Sequence, residues 1–191
     1  MRLGNCRRLA LGSLGGVWFR AIQPQHLATA LQTHHSASIK TRFNPGVSAK
    51  QPFEILYLAE NQQTALYEVQ ALWGDPSRPL VDPSRTKYWP IDIRVKLQSV
   101  ADLTDPTQLD LLGVSTQELT GVWNRYLEGD APTQRLGAAL FATKDVEGFL
   151  ATSARRPENK NLIVFPQKLL KGSELIFEDT SPSGTIHRIG G

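Results

Sequence analysis

The stretch TRFNPGVSAKQPFEILYLAENQQTALYEV, which runs from Thr41 to Val69, guides the interpretation of the whole chain. It begins with an Arg-Phe-Asn-Pro turn and continues into the apolar run Ile55–Ala59, whose length predicts a buried strand. Asn61 then predicts a helix N-cap, and apolar residues recur behind it at helical spacing as far as Trp73. The sequence therefore predicts a turn, a strand and a helix in succession.

Three side chains of this unit can carry chemistry: the guanidinium of Arg42, the phenol of Tyr57 and the carboxylate of Glu68. Glu68 lies three residues after Ala65 and four before Leu72, so it flanks the buried face of the predicted helix. A carboxylate in that place is costly unless something requires it. Taken singly, each residue has an ordinary structural interpretation as a turn cap, a core aromatic or a half-exposed helical residue. Their combination predicts a site.

Composition favours one domain of an ordinary globular type. The chain has 191 residues, of which 40% are hydrophobic and 20% are charged, enough for a proper core. Its net charge of +3 suits an anionic small molecule, an acidic protein or nucleic acid, without choosing among them. Cys6 is the single cysteine, which excludes an internal disulfide and a cysteine-rich zinc site. We therefore expect a cytoplasmic protein.

The N-terminus does not match a targeting or nucleotide-binding motif. Residues 1–16 are basic and interrupted by glycine, so we expect a loose arm that the fold does not require. The sequence contains no apolar run long enough to predict a membrane span. Gly12, Gly15 and Gly16 precede the first predicted strand and cannot form a dinucleotide-binding turn, which must follow one. His34 and His35 lack nearby ligands at suitable spacing, so no metal site is expected.

The remaining pattern mixes strands and helices without a regular βαβ rhythm. Ile91, Ile93, Val95 and Leu97 alternate strictly, which predicts a half-buried strand over 88–102. Strands are also predicted over 17–20, 161–166 and 174–178, and a loop is predicted over 74–85. Helices are predicted over 26–32, 109–112, 115–127 and from Pro132 to about Leu140. In the helix over 115–127, Trp123 and Tyr126 are expected to pack inward. The pattern predicts a single mixed α+β domain.

Several motifs now occur in the order of a known family. Trp18-Phe19-Arg20, Thr41 to Pro45, Leu56 to Glu60 and Thr64 to Glu68 resemble the opening motifs of the RES-domain family, which is named for an arginine, a glutamate and a serine. Further matches are Ala101 to Thr104, Gln134 to Gly137, Gly148 to Arg155 and Asn161 to Pro166. The resemblance implies a domain over residues 17–180, followed by a tail over 181–191.

The resemblance also implies a fold and an activity. Family members resemble ADP-ribosyltransferases in fold and act on NAD, which is their substrate and not a cofactor. They are toxins of bacterial toxin–antitoxin pairs that hydrolyse or phosphorolyse NAD or, in some cases, ADP-ribosylate a protein. The expected partner is an Xre-type antitoxin, a helical DNA-binding protein that covers the active site. The family's arginine, tyrosine, glutamate and serine fall on Arg42, Tyr57, Glu68 and Ser153.

The chemistry of NAD cleavage suits these residue types. Breaking the ribose–nicotinamide bond develops positive charge on the sugar, which a fixed Glu68 carboxylate stabilises. The pyrophosphate needs a guanidinium, for which Arg42 is the first candidate and Arg20 a helper. Tyr57 offers an aromatic face to nicotinamide. Ser153 has no neighbouring base and is expected to bind NAD by hydrogen bonding, not as a nucleophile.

Three functions remain open from the sequence. The preferred one is an enzyme that consumes NAD, with water or phosphate as acceptor. The second is an ADP-ribosyltransferase that uses the same residues with a protein acceptor. The third is a non-enzymatic nucleic-acid-binding domain, which the basic charge suggests. Against it, Arg7-Arg8 and Arg155-Arg156 are isolated pairs without an aromatic platform, so we expect no direct contact with nucleic acid.

Overall fold

A sheet of seven strands forms the centre of the computed structural model, which describes residues 1–85, 87–124, 126, 129–179 and 184–191. The order in the sheet is β1-β2-β7-β6-β5-β8-β9, and β3 and β4 form a separate hairpin. The strands are β1 Leu11–Ile22, β2 Leu56–Ala59, β3 Leu72–Trp73, β4 Leu80–Val81, β5 Trp89–Asp102, β6 Gly148–Thr152, β7 Lys160–Val164, β8 Glu174–Glu178 and β9 Ile186–Gly190.

The sheet closes on itself through its first strand. β1 pairs with β2 at Phe19 and Ala59, and it also pairs with β5 along nearly its whole length. Strands β1, β2, β7, β6 and β5 therefore form a ring, in which only the β5–β6 pairing is parallel. The strands predicted at 88–102, 161–166 and 174–178 are present as β5, β7 and β8.

Local capping explains where the helices begin. The helices are α1 Gln62–Glu68, α2 Pro106–Leu112, α3 Thr116–Thr120 and α4 Pro132–Ala142. The Asn61 side chain accepts a hydrogen bond from the Thr64 amide at 2.8 Å, which confirms it as the N-cap of α1. Ser115 and Glu118 form a capping box at the start of α3, as the sequence predicts. Together the helices and the sheet confirm a single mixed α+β domain.

Two apolar cores lie against the closed part of the sheet. One packs α2, α3, α4 and the N-terminal segment against residues such as Phe149 and Phe165. The other draws on all five strands of the ring and contains Trp18, Leu56 and Ile93. Burial of this kind yields roughly 25 cal/mol per Å² of apolar surface, so the two cores fix the positions of the strands that carry the site.

The expectation that residues 1–16 form a loose arm is wrong. A 3-10 helix, Leu3–Arg8, buries Cys6 and Leu9 in the first core. β1 begins at Leu11, because its glycine-rich part pairs with β5 and continues the strand toward Val17. The C-terminal segment is likewise not a free tail, because β9 pairs with β8. Sheet pairing has overridden the low intrinsic preference of glycine for strands.

Five local predictions also differ from the structure. The helix after Asn61 ends at Glu68, since Gln70 has a positive φ of 60° and the next residues form β3. The helix expected over 115–127 ends at Thr120, and Leu127 lies outside the described residues. Tyr126 is 39% exposed instead of packed inward. Residues 74–85 contain β4 and a 3-10 helix instead of a loop alone, and the short helix expected over 26–32 is a 3-10 helix over Pro24–Thr29.

None of the helices in the described residues is both long and apolar enough to span a bilayer.

Candidate functional site

A cavity of about 480 Å³ lies between α1, the 41–43 turn and strands β1 and β2. Four of the residues singled out in the sequence line it: Arg20, Arg42, Tyr57 and Glu68. The fifth, Ser153, lies behind Glu68 and is fully buried. Further lining residues include His35, Trp123, Arg155 and Asn161. Its volume is within the range of small-molecule sites.

The Arg-Phe-Asn-Pro turn is held from within by a buried asparagine. The Asn44 amide donates to the backbone carbonyls of Ser36 and Phe53 at 2.8 and 3.0 Å. Its side-chain oxygen accepts from the Gly46 amide at 2.9 Å. These three bonds satisfy a polar group that has no exposure to solvent, and they fix the backbone that carries Arg42.

Helix α4 holds the same turn from outside. Gln134 donates to the Thr41 carbonyl at 2.8 Å. Gly137 lies so close to the turn that a Cβ there would approach the Phe43 carbonyl oxygen to 1.9 Å, so any side chain would push the helix and the turn apart. The glycine is therefore required for the close approach of two backbones.

Arg42 connects the turn to the end of α3. Its Nη1 donates to the carbonyl oxygens of Leu119 and Gly121, at 2.9 and 2.7 Å. Burial lowers the pKa of Arg42, and the nearby Glu68 carboxylate opposes that effect. Since one nitrogen serves both carbonyls, Arg42 orders the segment that leads to Trp123 while it lines the cavity.

Tyr57 uses its hydroxyl to hold the turn and presents its ring to the cavity. The hydroxyl lies 2.8 Å from the Thr41 hydroxyl and accepts a hydrogen bond from the Phe43 amide at 3.0 Å. Burial raises the pKa of Tyr57 to about 12, so the phenol is neutral at physiological pH. The ring is the part of this side chain that is available to a ligand.

Two side chains orient the carboxylate of Glu68. The Ser153 hydroxyl and the Asn161 amide both donate to Oε1, each at 2.6 Å. The Ser153 oxygen in turn accepts from the backbone amides of Arg155 and Arg156, at 3.3 and 3.0 Å. Those two donors leave the hydroxyl proton directed at Glu68. Glu68 lines the cavity, and in the described residues its Oε2 accepts no hydrogen bond, so Oε2 is the oxygen that keeps its capacity to accept one.

The prediction that Ser153 binds substrate directly disagrees with its burial. Its exposed fraction is 0%, and its hydroxyl is committed to Glu68 and to two backbone amides. Ser153 is therefore a positioning residue for Glu68. The expectation that it hydrogen-bonds and is not a nucleophile agrees with this geometry, because the lone pairs of its oxygen are already in use.

The loop after β6 and helix α1 are clamped together, which fixes Glu68 relative to Ser153. Arg156 donates to the Gln63 side chain at 2.7 Å and lies 5.2 Å from the centroid of the Tyr67 ring. The Thr64 hydroxyl donates to the side chain of Asn159 at 3.0 Å. These contacts join α1, which carries Glu68, to the loop after β6, which carries Ser153.

The cavity wall is cationic overall. Among the described lining residues, Arg20, Arg42 and Arg155 stand against one carboxylate, that of Glu68. Burial lowers the pKa of Arg20 to about 10, so this guanidinium stays charged at neutral pH. The positive field of the arginines attracts an anion to the cavity, and the Glu68 carboxylate can stabilise a cation that develops there.

Sequence reasoning missed two residues of the site. Asn161 was placed only in a buried strand, yet its pairing opposite Ala59 directs its amide to Glu68. A polar amide within the apolar run Asn161–Phe165 is the signal that could have found it. Trp123 was assigned to a helix core, whereas it follows the end of α3 and lines the cavity. The described residues contain no cluster of three or more metal-binding side chains.

Comparison with known proteins points to one family. The model of the RES domain matches residues 17–181. A solved structure titled as the M. tuberculosis MbcT–MbcA toxin–antitoxin complex contains a similar chain, with a TM-score of 0.64 and 18% sequence identity over 98% of this chain and 91% of that one. At this identity the similarity shows the fold alone. A comparison with curated proteins finds no match.

Proposed function

The chain belongs to the RES-domain family, and from that premise we propose that it is a toxin that cleaves the nicotinamide–ribose bond of NAD. The observation that carries the proposal is the arrangement of Glu68. One of its oxygens is held by Ser153 and Asn161, and the other is free beside a cavity lined by arginines. This combination suits a substrate that is anionic at its centre and becomes cationic at its reacting carbon.

The proposed reaction needs few groups from the protein. The bond between ribose C1 and the nicotinamide nitrogen breaks, and its electron pair neutralises the pyridinium ring. The remaining positive charge is shared by C1 and the ring oxygen of the sugar, where the Glu68 carboxylate stabilises it. Water or phosphate then forms a bond to C1, and a proton is released to solvent when water is the acceptor. Tyr57 supplies an aromatic face for nicotinamide.

The test is an assay of products with the purified protein. NAD is incubated with the wild-type chain, with Glu68→Gln and with Asp110→Asn, which removes an exposed carboxylate outside the cavity lining. Chromatography with mass detection identifies nicotinamide and its co-product. The proposal expects nicotinamide release by the wild type and by Asp110→Asn, and almost none by Glu68→Gln. Intact NAD in the wild-type reaction would refute it.

The acceptor of ADP-ribose is decided by the same assay. Hydrolysis yields free ADP-ribose, and phosphorolysis yields ADP-ribose carrying the added phosphate only when phosphate is present. A protein transferase would instead leave ADP-ribose attached to a protein, which a cell extract and intact-mass measurement would reveal. We favour a small acceptor, because Glu68 is the one acid among the described lining residues and is already assigned to the sugar cation, which leaves no second acid there to direct a protein nucleophile.

We also propose that an antitoxin of the Xre type covers this cavity. An enzyme that depletes NAD must be restrained in its own cell, and a cationic site made for a pyrophosphate accepts a carboxylate as a mimic. The solved structure similar to this chain is a toxin–antitoxin complex, which supports a partner of this kind. We expect an acidic group of the partner beside Arg42.

The partner proposal is tested by pull-down of the co-expressed antitoxin. Arg42→Ala should weaken both NAD turnover and partner binding, whereas Lys171→Ala, a change at an exposed residue, should affect neither. If Arg42→Ala abolishes turnover but binds the partner at full strength, inhibition does not act through this arginine.

A further inference from the structure

A second cavity of about 410 Å³ adjoins the first. The two share Arg20, Ala21 and His35 in their walls. The second cavity is otherwise lined by the end of β1, the 3-10 helix Pro24–Thr29 and the segment that follows it, together with Tyr88. The two cavities are of similar size and meet along a common wall.

The guanidinium of Arg20 lies in the wall that the two cavities share. Arg20 donates a hydrogen bond to the Ala30 carbonyl, and in the described part of the chain no acidic side chain pairs with it. Arg20 is half-buried, and a partly desolvated guanidinium without a counterion is costly, so an anion between the two cavities would offset that cost. Its remaining N–H groups match phosphate oxygens.

The second cavity also carries two side-chain amides, one on the half-buried Gln23 and one on the exposed Gln32. Gln23 and Gln32 both line it, and neither side chain makes a hydrogen bond to any of the described residues. A glutamine amide donates and accepts on one edge, which is the pattern that pairs with the N6 and N7 edge of adenine. The edge chemistry of the cavity therefore fits an adenine base.

We infer that the second cavity is the binding site for the adenosine half of NAD, so that the dinucleotide spans both cavities with its pyrophosphate at Arg20. The inference rests on the proposed function and adds to it the placement of the substrate. NAD has two nucleoside halves joined by one anionic bridge, and here two cavities of similar size are joined at one unpaired cation. Glu68 lies in the first cavity, which therefore holds the nicotinamide half.

This placement changes the expected roles of the two arginines. Arg42 commits one nitrogen to two carbonyls at the end of α3, whereas Arg20 has a single backbone partner and borders both cavities. Arg20 is thus the main contact of the pyrophosphate, and Arg42 is the helper on the nicotinamide side. The sequence alone had suggested the opposite order.

The test measures binding without turnover. In a Glu68→Gln background, calorimetry determines the affinities of NAD, AMP and nicotinamide mononucleotide before and after Gln23→Met and Gln32→Met. Methionine keeps the length of each side chain and removes its amide. We expect NAD and AMP to bind about three- to tenfold more weakly for each lost hydrogen bond, and nicotinamide mononucleotide to bind unchanged.

The matched control is Gln25→Met, which lies in the same 3-10 helix but does not line the cavity, and it should change none of the three affinities. Unchanged NAD and AMP binding in both cavity variants would overturn the inference, and so would an equal loss for nicotinamide mononucleotide. AMP binding that depends on Gln23 and Gln32, together with a chain that fails to cleave NAD when Glu68 is intact, would refute the proposed function alone. NAD cleavage without such dependence would refute the placement alone.

Discussion

Two carboxylates, Glu68 and Glu147, are held by hydrogen bonds in different ways. Glu147 is fully buried, and both of its oxygens accept from backbone amides: Gln98 and Ser99 on one oxygen and Leu170 on the other, each at 2.7 Å. Glu68 receives two side-chain donors on one oxygen, and its second oxygen remains available at the cavity.

The difference separates a structural acid from one suited to function. Backbone donors on both oxygens of Glu147 join β5 to the segment before β8 and leave it nothing to offer a ligand. Side-chain donors on one oxygen of Glu68 orient the carboxylate, and its second oxygen can still interact with a substrate. A buried charge indicates function only when part of it is unpaired and faces a cavity.

The largest expected effect is on turnover in Glu68→Gln. The amide keeps the shape of the side chain and removes the charge that would stabilise the sugar cation, so kcat should fall on the order of a hundredfold or more. The thermal midpoint should stay within a few degrees of wild type, because Glu68 is only half-buried. NAD turnover and thermal unfolding of the same preparation check both statements. Near-normal turnover would remove Glu68 from the mechanism.

Glu147→Gln should give the opposite result. The amide would place N–H groups against backbone N–H groups, which costs about 3 kcal/mol of unfolding free energy when a charged acceptor is lost. For a chain of this size that corresponds to a thermal midpoint lower by roughly 10 °C. Turnover per folded molecule should be unchanged at low temperature. A stable variant with impaired turnover would mean that the two carboxylates are not distinct in role.

The sequence predicted Glu68 and gave no sign of Glu147, for a physical reason. Glu68 flanks an apolar face with helical spacing and belongs to a motif, whereas Glu147 stands singly before β6, and its partners lie 23 to 49 residues away in the chain. Local patterns also predicted the N-cap Asn61 and the alternation of β5. They failed for the N-terminal segment, where pairing of Gly12 with Val100 outweighs local preference.

Ser153→Ala should have an intermediate effect. It removes one of the two donors to Glu68 and leaves two backbone amides without their acceptor, so stability should fall by about 1–2 kcal/mol. Because Ser153 acts through Glu68, kcat should fall about tenfold while KM for NAD stays nearly constant. Steady-state kinetics measure kcat and KM for NAD separately. If Ser153→Thr, which keeps the hydroxyl, recovers kcat, the orienting role stands; a raised KM with normal kcat would instead mean direct contact with substrate.

The smallest effect is expected from a change of pH. Titration of Arg20 should change KM for NAD, whereas loss of the Glu68 charge should change kcat. Burial lowers the pKa of Arg20 to about 10, so the guanidinium is charged throughout pH 6–9 and KM for NAD should be flat there with respect to Arg20. Above about pH 10 the proton is lost, and KM should rise while kcat changes less.

The stability of the folded state changes with the opposite sign. Because folding lowers the pKa of Arg20 from its usual value, the charged group opposes folding below about pH 10, and that cost declines as the pH rises further. A KM that rises with pH is therefore not the result of unfolding driven by Arg20. Arg20→Lys sharpens the test, because a lysine in the same surroundings titrates lower and should move the rise in KM to lower pH. An onset that stays in place in Arg20→Lys would mean that the titration seen in KM belongs to another group, and that the bridge between the two cavities does not depend on this charge.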